Sequence, residues 1–65
     1  MRIVHEGRGG FIEIDGVRYS IEHIAEGRFS IHFSGRKRDA TREAHLRELE
    51  ALVANEPDRW TIEKR

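Results

Sequence analysis

Apolar and polar side chains alternate most sharply in Phe11-Ile12-Glu13-Ile14-Asp15-Gly16-Val17-Arg18-Tyr19-Ser20-Ile21. A period of two sends successive side chains to opposite faces of a strand. Asp15-Gly16 breaks the run with a residue pair that tolerates positive φ at both positions, which a two-residue hairpin turn requires. That turn sets Ile14 against Val17 and Ile12 against Tyr19. One face then collects Ile12, Ile14, Val17, Tyr19 and Ile21, and the other carries Glu13 beside Arg18 as a cross-strand ion pair.

Phe29, Ile31 and Phe33 continue the alternation in a second hairpin. A two-residue Glu26-Gly27 turn in simple register would put Glu22 opposite Ile31 on the core face. A three-residue loop, Ala25-Glu26-Gly27, with Gly27 in a left-handed bulge position, pairs His23 with Phe29, Ile21 with Ile31 and Tyr19 with Phe33. The expected result is a core row Ile12–Tyr19–Phe33 and an outward row Phe11–Ser20–His32.

From Asp39 to Asn55 the period lengthens, and His45, Leu46, Leu49, Leu52 and Val53 fall on one helical stripe. Asp39 is suited to cap the start, Asn55 to end the helix, and Pro57 prevents its continuation. The tail Arg59-Trp60-Thr61-Ile62-Glu63 alternates again and reads as a short strand burying Trp60 and Ile62. Ile3-Val4 reads as a further edge strand, followed by Gly7-Arg8-Gly9-Gly10 as a hinge or bulge. The fold class is α+β: an antiparallel sheet of three to five strands with one helix packed on one face, in the order β-β-β-α-β. A right-handed crossover places the last strand parallel to either the third or the first strand of the two hairpins.

Composition narrows this picture. Sixty-five residues allow one domain, 1–65, which buries only about 60% of its unfolded surface. No run reaches the roughly 20 apolar residues of a membrane span, and Met1-Arg2-Ile3-Val4-His5-Glu6 lacks the apolar core of a signal peptide. There is no cysteine and therefore no disulfide framework. The expectation is a cytoplasmic chain, in the host cytoplasm if phage-encoded, with no membrane partner. Twelve basic residues balance twelve acidic ones, which argues against a general nucleic-acid coat. The distribution is uneven: the basic run Arg36-Lys37-Arg38 is followed by a more acidic segment.

Little of this points to catalysis. The four histidines lack paired-ligand spacing and have no cysteine partners, so neither a metal nor a cofactor is expected. Ser20, Ser30 and Ser34 lie on strands or at their ends, without the strand-to-helix turn that exposes a nucleophile. A domain this small offers little depth for a pocket that shifts a carboxylate's titration. Gly7-Arg8-Gly9-Gly10 is not followed by the Gly-Lys-Ser/Thr of a phosphate loop. The expectation is therefore a non-enzymatic protein. Contact candidates are the outward Phe11, Arg18 and His32, the cations Arg36, Lys37 and Arg38 before the helix, and Glu43, Arg47 and Glu50 with Glu48 on the helix's outer side.

The three-strand-then-helix order, with Phe33-Ser34-Gly35-Arg36-Lys37-Arg38-Asp39-Ala40-Thr41-Arg42-Glu43-Ala44 at its junction, resembles the arm-type DNA-binding domain of phage integrases and the related AP2 domain. That resemblance implies a sheet face in the major groove, with Arg18, Ser20, Ser30 and His32 as contacts. Glu13 and Glu22 share that face, where their carboxylates oppose phosphate. In type, the small cysteine-free chain resembles the phage and mobile-element proteins that include anti-CRISPR inhibitors, which act stoichiometrically by covering a protein surface or imitating nucleic acid.

Two functions follow as expectations. One is a protein–protein binder, of the anti-CRISPR inhibitor type, that blocks a nucleic-acid-processing complex. The other is a small DNA-binding module using the sheet face and Arg36-Lys37-Arg38. The partner is another protein or a protein–nucleic-acid complex, and the chain is a monomer or homodimer.

Overall fold

The computed structural model describes residues 1–34 and 39–65. Among the described residues four strands precede the helix and one follows it: β1 (Arg2–Glu6), β2 (Gly9–Ile14), β3 (Val17–Ala25), β4 (Arg28–Phe33), α1 (Ala40–Asn55) and β5 (Trp60–Lys64). They form one five-stranded mixed sheet in the order β1-β2-β3-β4-β5, an α+β fold with its helix on one face. The first four strands are an antiparallel meander, and β5 lies parallel to β4, the third of the hairpin strands.

The Asp15-Gly16 turn has positive φ at both residues, 50° and 80°, and it sets Ile14 opposite Val17 and Ile12 opposite Tyr19 as the alternation requires. In the second hairpin His23 faces Phe29 and Ile21 faces Ile31, the expected register. The extra residue is absorbed elsewhere, however. The turn is Glu26-Gly27, Ala25 pairs with Arg28, and the irregularity falls between His23 and Ala25. Both arrangements keep the same apolar pairs on the core side. The structure places the surplus in the strand at Ile24, which is left 52% exposed.

Gly7-Arg8-Gly9-Gly10 is neither a hinge nor a bulge. Gly7-Arg8 forms the turn that closes the β1–β2 hairpin, and Gly9 and Gly10 are ladder positions opposite Glu6 and His5. Gly10 has φ 130°, and a Cβ there would lie 2.0 Å from the Val4 carbonyl oxygen, so only glycine fits so close to β1.

Ile12, Ile14, Tyr19, Ile21, Ile31, Phe33 and Trp60 form the sheet side of the core, met by Leu46 and Leu49 from α1, with Leu52, Val53 and Ile62 packed against them. The Tyr19 and Phe33 rings stack at 5.6 Å. Asp39 caps the helix: its Oδ1 accepts from the Arg42 amide at 2.8 Å. The helix ends at Asn55, where the Glu56 amide still donates to the Leu52 carbonyl. The short turn after it starts β5, whose pairing opens with the Phe29 amide donating to the Arg59 carbonyl at 2.7 Å.

His45 is a polar member of this interior, 1% exposed. Its Nδ1 lies 2.7 Å from the Tyr19 hydroxyl, and its Nε2 lies 3.4 Å from the Asp15 carboxylate at the first hairpin turn, outside hydrogen-bond geometry. If the phenol donates to Nδ1, the imidazole proton sits on Nε2, toward Asp15. Burial pushes the Tyr19 phenol above its ordinary range; the Arg42 cation opposes this and Asp39 adds to it. No helix among the described residues is long and apolar enough to cross a membrane.

Candidate functional site: the open sheet face

Because α1 covers one face of the sheet, the alternating side chains of all five strands leave the other face without a covering element among the described residues. Its central row runs Val4, Phe11, Ser20, His32, Glu63: Val4 pairs with Phe11, Phe11 with Ser20, and His32 with Glu63. Ser20, Glu22 and His32 line one shallow hollow.

Charged groups of both signs interleave across this face. Glu13 Oε2 accepts from Arg18 at 3.2 Å and from Arg2 at 3.3 Å, linking three strands. The two guanidiniums also lie over the Phe11 ring, Arg18 at 4.3 Å and Arg2 at 6.0 Å from its centroid. Phe11 is thus half-buried and already occupied by cations rather than bare for stacking a base. Two residues away along the row, His32 stands between two carboxylates. Its Nε2 is 3.2 Å from Glu22 and its Nδ1 is 3.3 Å from Glu63, and Glu63 is held in turn by Arg65 at 3.1 Å. The Nε2 contact to Glu22 has hydrogen-bond geometry, whereas Nδ1 and Glu63 are in close contact without it. Among the described residues, no group of three or more acidic or histidine side chains has the arrangement of a metal site.

The structure therefore brings Phe11, Arg18 and His32 onto one surface, with Ser20 and Ser30 on the same side of their strands. Ser30 is buried between its flanking strands and reaches little solvent. Arg47, Glu48 and Glu50 are exposed on the helix, across the sheet from that surface, and Glu43 is half-buried in its first turn. Glu50 lies 3.9 Å from Lys64 of β5. Helix and open face are separate surfaces. Arg36, Lys37 and Arg38 lie outside the described residues.

One further concavity escaped the sequence reading. At the end of the sheet remote from His45, on the helix side, a cleft of ≈ 540 Å³ is lined by His5, Gly7, Arg8, His23, Phe29 and Arg59. These come from β1, its turn, β3, β4 and the turn before β5, so no local spacing announces them. No protein-family model, curated protein or solved structure matches the chain.

Proposed function

We propose that this is a non-enzymatic binding protein that acts through a protein–protein interface on the open sheet face. In that role it is an inhibitor of the anti-CRISPR type, covering a surface of a nucleic-acid-processing complex in the cytoplasm. The observation that carries this reading is the interleaving of charge on that face: Arg2 and Arg18 already share Glu13, Arg65 holds Glu63, and His32 lies between Glu22 and Glu63. Phosphate backbones are drawn to an excess of cations, and among the described residues this face gathers none. A protein partner suits it instead, one that offers carboxylates to the Arg2–Arg18 end, an apolar seat for Phe11 between them, and a cation toward Glu22 and Glu63. The helix side, with Glu43, Arg47 and Glu50, then faces away from the interface.

Affinity capture from a lysate of its native cells tests this with two variants beside the unmodified chain. The Phe11→Ala/Arg18→Ala pair removes the aromatic and one guanidinium, and the Glu43→Lys/Arg47→Glu/Glu50→Lys set reverses the helix. The expected result is one protein partner that the helix variant retains and the face variant loses at least tenfold. Loss confined to the helix variant, or recovery of nucleic acid alone that salt releases, overturns the proposal.

A further inference from the structure

The cleft at the far end of the helix-covered face has a composition unlike the rest of the molecule. Four of its six lining residues are basic, His5, Arg8, His23 and Arg59, and among the described residues no carboxylate lines it. On the open face, by contrast, Glu13, Glu22 and Glu63 lie among the basic groups. The base of the cleft is aromatic. The Phe29 ring lies 5.0 Å from His5, 5.3 Å from His23 and 5.4 Å from Trp60, and His5 stacks on Trp60 at 6.3 Å. His5 belongs to β1 whereas Phe29 and Trp60 belong to β4 and β5. The sheet curls far enough to bring the His5 ring of its first strand against rings of its last two.

The Arg59 side chain and the backbone that carries Arg8 are anchored. Arg59 Nε is fixed by Glu56 at 3.0 Å, outside the cleft lining, which leaves the guanidinium's terminal nitrogens as donors. Backbone pairing between the His23 amide and the Arg8 carbonyl at 2.8 Å ties the turn carrying Arg8 to β3. Two arginines present planar N–H forks, and two imidazoles add one donor or more each. A carboxylate has only two oxygens to offer such an array. A phosphate monoester has three terminal oxygens and close to two negative charges near neutral pH, and a carbon skeleton attached to it meets the aromatic base. The volume lies in the range of small-ligand sites.

We propose that this cleft binds a small phosphate monoester, with Arg8 and Arg59 on the phosphoryl oxygens and His5 and His23 at its flanks. The site is independent of the open face, since its residues lie on the opposite side of the sheet. Titrations of the isotopically labelled full chain with inorganic phosphate, adenosine monophosphate and, at matched ionic strength, sodium chloride test it by amide and imidazole chemical shifts. Trp60, the sole tryptophan, adds a fluorescence readout beside His5.

Saturable shifts are expected at His5, Arg8, His23 and Arg59 with both phosphates and not with chloride, with adenosine monophosphate binding more tightly than phosphate. Arg8→Gln, on an exposed turn, is expected to weaken both at least tenfold with the spectrum otherwise unchanged; Arg59→Gln should do the same. Equal responses to chloride and phosphate, or affinity unaltered by Arg8→Gln, overturn the proposal. A ten-nucleotide single strand binding through the same residues more than tenfold more tightly than the monophosphate would overturn it too, marking the cleft as a polymer site.

Discussion

The two faces of the sheet use the same alternation to opposite ends. On the covered face Ile12, Tyr19, Ile31 and Phe33 lose nearly all contact with water beneath Leu46 and Leu49, and the polar group admitted there from the helix, His45, is tied to Tyr19. On the other face Phe11, Arg18, Glu13, His32, Glu22 and Glu63 stay at the surface and satisfy one another. Apolar burial makes the first face a source of stability, since each removed side chain leaves a cavity. Exposed ion pairs contribute little to folding, typically below about 1 kcal/mol each. A chain of this size that arranges so many of them on one surface therefore gains little stability from them, which accords with the recognition role proposed for this face.

Substitutions should separate the two faces by size of effect. Leu49, fully buried in the helix stripe, stands at the top: Leu49→Ala is expected to cost about 3 kcal/mol in a denaturant titration. A loss under about 1 kcal/mol would mean that α1 is not the cover of this core. Tyr19→Phe comes next, at about 2 kcal/mol, because it leaves the buried His45 Nδ1 without its 2.7 Å partner.

The same residue gives a pH signature. Its folded-state phenol titrates above the ordinary 10.0, so above that pH the unfolded chain sheds the proton first and stability falls as pH rises. As the sole tyrosine, its absorbance reports the shift directly, and Tyr19→Phe should remove that part of the alkaline slope. On the open face Arg18→Ala sits at the bottom of the scale, within about 0.5 kcal/mol of the unmodified chain. A stability loss there as large as that of Leu49→Ala would erase the distinction between the faces.

What the sequence disclosed follows the range of the interactions involved. Asp15-Gly16 fixes a register over a span of two residues, so the pairing of Ile12 with Tyr19 and the ion pair of Glu13 with Arg18 were legible, and the outward direction of Phe11 and His32 followed. Ile24 was not, because two loop geometries deliver the same His23–Phe29 register and nothing local chooses between them. The sequence leaves the partner of β5 open between two strands, since a crossover through a helix is settled by contacts far apart along the chain, such as Trp60 on Phe29.

The carboxylates on both sides of His32 had the same difficulty: Glu22 was legible only as sharing its face, and Glu63 arrives only with β5. The basic cleft was hidden for a stronger form of this reason. His5, Arg8, His23 and Arg59 converge by the curl of the whole sheet. One available signal was that His5, His23 and Phe29 share the parity of the core residues while lying beyond the apolar stripe of the helix.

Covalent footprinting of the chain in complex with its captured partner tests the central claim most directly, by comparing side-chain labelling in the free and bound protein. The account predicts protection at Phe11, Arg18, Ser20 and His32, with Arg47, Glu48 and Glu50 labelled as in the free chain. Protection confined to the helix, with Phe11 and His32 as reactive as before, would contradict it.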